Sequence, residues 1–224
     1  MKKFTESRLY MNSELEAHIH LADGVEVLLF DEDAALEKVT FWLWAKLVYC
    51  GYFSQDSVLK KHFLINGEEN RCEIYSLLSS RGEKIKAQIY GELASSHSYL
   101  DMHIVSFVSD AWDIDLDWVV EITSGIEKVE GYLSEENIFL GTTGKVRGIP
   151  TLKVHSNDVK AAHACNMQRI PDETLYYLRS RGLPKEDATV LLLQSYIAKI
   201  FGNIRENNED MYLELEERIL KKLR

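Results

Sequence analysis

Residues 149–182 read IPTLKVHSNDVKAAHACNMQRIPDETLYYLRSRG and contain a change from one kind of local structure to another. An extended run that starts at Pro150 passes into a polar turn, and a segment of small residues with His163 and Cys165 follows. A helix start at Pro171 comes next. Strand-like runs precede the stretch and helical patterns follow it. The stretch therefore predicts a β domain followed by helices.

The chain before residue 163 contains repeated short apolar runs bounded by Gly, Ser, Asn or Asp, which is typical of strands and turns. One of these runs is VTFWLWA, residues 39–45. In other runs apolar and polar residues alternate, as at Ile114, Leu116 and Trp118, which predicts one buried and one wet sheet face. Most turns lack the Asn-Gly or Asp-Gly pair of tight hairpins. The pattern favours coil turns but leaves a sandwich, a barrel and a β-helix open.

Three helices are predicted after residue 170. The first begins at Pro171, has acids in its first turn and ends at Gly182, as helix start and stop chemistry favours. The second begins at Pro184 and is expected to end at Gly202. One face of the second helix is predicted to comprise Ala188, Leu191, Leu192, Ser195, Tyr196 and Lys199. The third helix, residues 208–223, has an apolar stripe of Met211, Leu215, Ile219 and Leu223.

These patterns divide the chain of 224 residues into three parts. We expect residues 1–23 to form an N-terminal arm or a short helix, 24–168 to form the β core, and 169–224 to form a C-terminal helical domain. A chain of this length can bury a full core.

Composition limits the classes of partner. The formal net charge is −10, and the basic residues are scattered apart from a small group at the C-terminus, so nucleic acid and anionic membranes would be repelled. The most apolar segment, residues 39–53, is short and contains Lys46, which does not predict a membrane span. No apolar segment follows the first lysines as in a secretory signal. We predict a cytoplasmic protein with no nucleic-acid or membrane partner.

Cysteine and histidine positions give few motifs. Cys50, Cys72 and Cys165 are too widely spaced for a disulfide framework or a zinc site, and the first two are interpreted as apolar fillers of strands. His18 and His20 alternate along the chain, which would place them on one strand face as possible metal ligands. Two exposed strand residues are the simpler interpretation.

Enzyme motifs are also missing from the sequence. It contains no Walker A sequence, so the chain is not itself an ATPase, and it contains no nucleophile elbow or HExxH. Asp113, Asp115 and Asp117 alternate along one strand, which fits either a calcium site or, more simply, a solvated sheet face. We predict a protein that is not an enzyme. The alternative of another class is a β-helix or β-barrel enzyme that acts on a small molecule or sugar.

The stretch 149–182 resembles the C-terminal part of the SufB/SufD family, the non-ATPase subunits of the SUF iron-sulfur cluster assembly machinery. In that family a proline-led strand leads to a DDVK-like turn, a small-residue segment with a histidine, and a helix that ends in YLRSRG. The matching positions here are Pro150 and the segments 157–160, 161–164 and 177–182. A weaker likeness extends over roughly residues 58–201.

The resemblance implies a mainly β fold: a right-handed parallel β-helix core capped by a small helical domain. It also implies a scaffold or adaptor subunit that binds a SufC-like ABC ATPase through its helices and dimerises through an open β-helix edge. ATP-driven closure of the ATPase would then strain the dimer near His163. The chain is shorter than typical members, so the second subunit is either a SufB-like protein or, in a minimal homodimeric form, another copy of itself.

His163 matches the histidine that the family places at the SufB/SufD interface, where clusters are assembled. Cys165 shares its strand face, so His163 and Cys165 are the candidate metal ligands. SufB-type subunits have a cysteine one coil upstream, where this chain has Glu135, and glutamates beside the histidine, where it has Ala162 and Ala164. The chain therefore resembles SufD more than SufB. We expect no permanent cofactor, only transient iron or an iron-sulfur cluster.

The helical tail is the candidate contact with the ATPase, because Tyr and Arg contribute strongly to interfaces. Its predicted contact residues are Tyr177, Arg179, Ser180, Arg181, Gly182, Leu192 and Tyr196. The alternative is that the helices only cover the end of the β domain.

Overall fold

The computed structural model describes residues 2–33, 36–54, 57–79 and 84–223. Its strands are β1 (Lys2–Phe4), β2 (Leu9–Tyr10), β3 (His18–Leu21), β4 (Glu26–Glu32), β5 (Lys38–Phe41), β6 (Lys46–Phe53), β7 (Ser57–Ile65), β8 (Arg71–Ser79), β9 (Lys84–Leu93), β10 (Tyr99–Val108), β11 (Asp113–Ile122), β12 (Val129–Phe139), β13 (Lys145–Val154) and β14 (Val159–Arg169). Its helices are α1 (Asp172–Ser180), α2 (Lys185–Asn207) and α3 (Glu209–Leu223).

The strands form two seven-stranded sheets, one of the odd-numbered strands and one of the even-numbered strands. All strand pairs among the described residues are parallel, and each strand pairs with the strand two positions further along the chain. The chain therefore alternates between the sheets and winds as a parallel β-helix with coil turns rather than hairpins. The predicted mainly β fold with C-terminal helices is confirmed.

Coils become longer along the chain. In the even-numbered sheet Glu26 pairs with Lys46, twenty residues later. Near the other end Val129 pairs with Val159, thirty residues later. Because strand residues stay in register from coil to coil, side chains of one face form continuous rows through the stack.

One core fills the space between the two sheets. The alternation predicted for β11 is confirmed, since Ile114, Leu116 and Trp118 are all buried in this core. Cys72 also lies in it, which confirms its interpretation as an apolar filler.

A second core lies on the outer face of the even-numbered sheet, where α2 and α3 cover it. Ile197 and Ile204 of α2 and Ile219 of α3 pack there with Tyr52 and Phe107 of the sheet. The helices therefore cover the part of this outer face that β4, β6, β8 and β10 form. Cys50 is buried in this second core, as expected for an apolar filler.

The first residues differ from the expected arm or short helix. Residues 2–4, 9–10 and 18–21 are strands of the two sheets, and only Asn12–Glu14 forms a single turn of 3-10 helix. Phe4 and Tyr10 stack with their ring centroids 3.7 Å apart and are buried. These short strands are stabilised by pairing with the next coil, which local sequence does not reveal.

The run 39–45 was expected to be one strand, and this prediction is wrong. β5 ends at Phe41, and residues 42–45 form the turn to β6. The end predicted for the second helix is confirmed only in part. Helical geometry breaks at Phe201 (φ −109°, ψ 17°), directly before Gly202, but α2 resumes after this kink and continues to Asn207.

The face predicted for α2 is not the face that packs on the sheet, because Leu191, Ser195 and Lys199 are exposed. The buried residues of α2 are Ala188, Leu193, Ile197, Ile200, Phe201 and Ile204. Contact with the sheet determines which residues of α2 are buried. The same contact stabilises the helix beyond Gly202.

The interior also contains a buried ion pair that the sequence did not predict. Lys61 Nζ lies 2.7 Å from Asp31 Oδ2, and both side chains are almost fully buried. The Tyr49 hydroxyl donates to the same carboxylate oxygen at 2.6 Å, and Lys61 also donates to the Leu36 carbonyl at 2.7 Å. Burial and the adjacent Asp31 charge raise the pKa of Tyr49 well above its usual value.

Candidate functional site

The candidate site lies on β14, the last strand of the even-numbered sheet. β14 follows β12 at the end of the strand order, so its other edge has no neighbour among the described strands. β13 ends the odd-numbered sheet in the same way. The last coil thus presents two unpaired strand edges, and almost every residue of β14 is exposed.

His163 and Cys165 lie on the side of β14 that continues the interior rows of side chains. His163 pairs with Leu133, and Cys165 pairs with Glu135. Leu133 and Glu135 are both buried between the sheets. Because neighbouring strands are in register, His163 and Cys165 point to the same side, and both are exposed at the open end of the stack.

Glu135 is an unusual buried acid directly below Cys165. It is only 1 % exposed, and its Oε1 accepts a hydrogen bond of 2.6 Å from Asn137 Nδ2. Glu135 Oε2 and Asn137 Oδ1 have no hydrogen-bond partner among the described residues. Gly148 leaves room for the carboxylate, since a Cβ at that position would lie 2.2 Å from Oε1.

Burial shifts the pKa values of both Glu135 and Cys165. It raises the pKa of the Glu135 carboxyl, which has only the Asn137 hydrogen bond to oppose the effect. The pKa of the Cys165 thiol is raised by burial and then by the Glu135 charge. Cys165 is therefore a thiol in the isolated chain, and a metal or a cation from a partner is needed to make it a thiolate ligand.

The site of the isolated chain is incomplete as a metal centre. One imidazole and one sulfur are donors that suit iron. Within residues 2–33, 36–54, 57–79 and 84–223, however, no three His, Cys, Asp or Glu side chains converge to hold a metal ion. Two donor side chains on one strand face do not by themselves complete the coordination of a metal ion.

The helical tail presents a polar and aromatic surface. Tyr177, Arg179, Ser180, Arg181 and Gly182 are all exposed. The Arg181 guanidinium lies 5.2 Å from the centroid of the Tyr177 ring. Gly182 has φ +93°, a conformation that glycine adopts readily at the end of a helix.

The other two predicted contact residues lie on α2 and are partly buried, Leu192 and Tyr196. The Tyr196 hydroxyl accepts a hydrogen bond from Gln168 Nε2 at 3.2 Å, and its ring packs edge-on against Phe107. Tyr196 therefore holds α2 against the sheet. The exposed residues of α1 and its C-terminal turn are the better contact surface.

Comparison with known proteins identifies the family. The sequence model described as "SUF system FeS cluster assembly, SufBD core domain" matches residues 45–196, about two thirds of the chain. The chain belongs to this SufBD core family.

Individual relatives agree with this assignment. The chain is 24 % identical over 217 residues to the iron-sulfur cluster assembly protein SufD of Escherichia coli, covering 92 % of this chain and 49 % of that protein. It is 24 % identical over 152 residues to SufD of Bacillus subtilis, covering 66 % of this chain and 34 % of the relative. An iron-sulfur cluster assembly SufBD family protein of Mycobacterium tuberculosis is 27 % identical over 192 residues, covering 77 % of this chain and 44 % of the relative. The chain spans about half the length of these relatives or less.

Sequence reasoning missed two features of this SufBD core chain. Tyr176 is the most exposed of the large apolar side chains in the described residues, at 74 %, and it borders a hollow with Arg179 and Lys185. Two adjacent tyrosines in α1 could have indicated this exposed aromatic surface, because two neighbouring helix positions cannot both face the core. The pairing of Cys165 with Glu135 was also missed, because it depends on the register between coils.

The other candidate sites are explained by local pairing. Asp113 and Asp115 lie near cations, with Lys84 Nζ at 3.5 Å from the first and Arg147 at 2.6 Å from the second, as on a solvated sheet face. His18 is exposed on β3, as expected. The expectation for His20 is wrong, because His20 is only partly exposed and its Nδ1 is buried without a hydrogen-bond partner among the described residues. No helix among the described residues is long and apolar enough to span a membrane.

Proposed function

We propose that this chain is a non-enzymatic scaffold subunit of a SUF-type assembly complex, which joins a second β-helix subunit through β13 and β14 and an ABC-type ATPase through its helices. The observation that carries the proposal is the open last coil, where His163 and Cys165 stand beside an unpaired strand edge. Iron or an iron-sulfur cluster is then the cargo of the complex and not a resident cofactor.

The open edge supports a protein partner. β14 is eleven residues long and exposes unpaired backbone groups. Long open edges are normally covered or shortened in soluble proteins, because they promote pairing with other chains. A second β-helix that adds its own strand would satisfy these groups by β-augmentation.

The donor set favours a partner with a different sequence. Two copies of this chain would bring together two imidazoles and two sulfurs above two buried Glu135 carboxyls. A SufB-like subunit with a thiolate at the position of Glu135 would supply the softer ligand that iron-sulfur clusters prefer. A heterodimer is therefore proposed ahead of the homodimer.

The helices support the ATPase contact. α1 packs on α2 and exposes Tyr176 and Tyr177 on the side away from it. Exposed tyrosine and arginine side chains are typical of interface hot spots. Because α2 and α3 are packed on the sheet, movement of a bound ATPase would be transmitted to the β-helix and could strain the edge near His163.

The test is light-scattering mass and ATP turnover after mixing the protein with the ABC-type ATPase of the same genome. We expect a stable complex with raised turnover, and we expect both to be lost in Tyr176→Ala/Tyr177→Ala. Leu213→Ala on α3 is the matched control, because Leu213 is also about half exposed but lies on another helix. The absence of a complex would overturn the adaptor proposal and favour the small-molecule or sugar enzyme.

A further inference from the structure

The turn between β5 and β6 exposes three consecutive large apolar residues. Trp42, Leu43 and Trp44 are 44, 45 and 58 % exposed, whereas Trp112 and Trp118 are buried. Single exposed apolar residues are normal on protein surfaces, but a group that includes two tryptophans indicates an interaction site. We name residues 42–44 the tryptophan turn.

The backbone of the tryptophan turn makes this placement more unusual. Trp44 has φ +57°, which bulky residues rarely adopt. The corresponding turn position in four other coils is also left-handed and is occupied by Gly24 (φ +68°), Glu69 (φ +58°), His97 (φ +58°) and Lys128 (φ +54°). The turn therefore accepts a side chain at this position, but the other coils place a glycine or a polar residue there, so turn geometry does not require the tryptophan.

Neighbouring coils fix the turn without help from its side chains. The Leu43 N–H donates to Asp23 Oδ1 at 3.1 Å, and the Trp44 N–H donates to the Glu68 carbonyl at 3.1 Å. The Gly24 N–H donates to the Leu43 carbonyl at 3.0 Å. The indoles are therefore held outward on a rigid backbone.

The surroundings of the turn are acidic. Asp23, Glu68 and Glu69 flank it and are exposed, and none of the three is in an ion pair with another described residue. Lys3 Nζ lies 3.9 Å from the centroid of the Trp42 ring, which shows that a cation fits on this indole. Carboxylates beside exposed indole faces form a site that attracts Lys and Arg side chains.

We propose that the tryptophan turn docks a basic segment of a protein partner, with an Arg or Lys stacked on Trp44 and paired with Glu68 or Glu69. Arg is the residue that best combines stacking on an indole with pairing to a carboxylate. An anionic membrane is the less suitable occupant, because the flanking acids and the net charge of −10 repel it. The turn lies four coils from β14, roughly 19 Å along the stack, so this surface is separate from the open edge.

The test uses this protein and two synthetic peptides. One peptide alternates arginine and leucine, and the other alternates glutamate and leucine. Tryptophan emission reports binding, because Trp42 and Trp44 are the exposed pair. We expect saturable binding of the arginine peptide only. We also expect Trp44→Asn, and separately Glu68→Lys/Glu69→Lys, to weaken it about tenfold.

Two controls separate a binding role from a structural one. Leu213→Asn removes an equally exposed apolar side chain elsewhere and should leave peptide binding unchanged. Trp44→Asn should unfold at the same or a higher temperature than the wild type, because asparagine accepts positive φ. Equal binding of both peptides, unchanged binding by either test variant, or binding to phosphatidylglycerol vesicles that is lost in Trp44→Asn would overturn the proposal.

Discussion

Replacing Glu135 by glutamine should stabilise the protein at neutral pH. The carboxylate is buried, and its Oε2 has no hydrogen-bond donor among the described residues. The amide introduced by Glu135→Gln keeps the shape, can still accept from Asn137 Nδ2, and can donate to Asn137 Oδ1, which is also unpaired. The substitution therefore removes a buried charge and satisfies two orphaned groups.

The magnitude follows from the cost of such groups. A buried polar group without a partner costs about 1–3 kcal/mol, so we expect a gain of this size in the free energy of unfolding at pH 7. The pKa of Glu135 is raised in the folded state, so its stabilising contribution is complete below the unfolded value of about 4.3. That contribution is lost as pH rises through the folded pKa. Below that pH the protonated Glu135 carboxyl can itself donate to Asn137 Oδ1, as the glutamine amide does, so the advantage of Glu135→Gln should disappear near pH 4.

The assay is urea unfolding of both proteins at several pH values between about 4 and 8, with the slope m compared to check that the unfolded states are alike. A variant that is no more stable than the wild type at pH 7 would refute the reasoning. A stability difference that is independent of pH would also refute it, because the titration of Glu135 would then not be the cause.

Three further predictions concern packing and charge. Gly148→Ala should cost about 1–3 kcal/mol in urea unfolding because its Cβ meets the Glu135 carboxylate, and combination with Glu135→Ala should remove most of the cost; additive effects would contradict the contact. Lys61→Met should cost about 3–5 kcal/mol because it removes the cation that lies 2.7 Å from the buried Asp31 carboxylate, and a loss below about 1 kcal/mol would contradict this. The pKa of Asp110 is lowered by the backbone N–H groups of two threonines, so its stabilising effect should be present above its ordinary value of about 3.9 and be lost as pH falls through the lowered pKa. NMR titration should show this low midpoint, and Asp110→Ala should speed hydrogen exchange of both amides; an ordinary midpoint or unchanged exchange would be the contrary result.

Much of the fold could be predicted because its signals are local. Alternation along β11 fixes which residues face the interior, and the same holds for Ile85 and Ile89 of β9, which are buried. The start of α1 after Pro171 and its end before Gly182 follow from cap chemistry and are confirmed.

The incorrect predictions arise where contacts between neighbouring coils override the structural preference of the local sequence. β1 to β3 are two to four residues long, too short for a periodic pattern, and they exist because the next coil pairs with them. Gly202 does not end α2, because Ile200 and Ile204 on both sides of it are buried against the sheet. The apolar run 39–45 predicts a strand, because turns usually consist of polar residues and glycine. Here the turn itself contains apolar residues, which the composition of the run does not reveal.

The site could be predicted only in part. His163 was identified through a resemblance, and the order of residues gave the common face of His163 and Cys165. The exposure of that face depends on β14 being the last strand. The position of Glu135 below Cys165 depends on the register between β12 and β14, which no local pattern contains.

We propose that the open edge of β14 becomes a metal-binding site only when a second subunit completes it. The direct measurement is ferrous iron binding under anaerobic conditions by this chain, by the SufB-like subunit of the same genome, and by their mixture. We predict that the mixture binds iron that neither protein binds alone and that His163→Ala abolishes this binding. His18→Ala, an exposed histidine on β3, should have no effect. Iron binding by the isolated chain that equals the mixture, or full binding by His163→Ala in the mixture, would contradict the account.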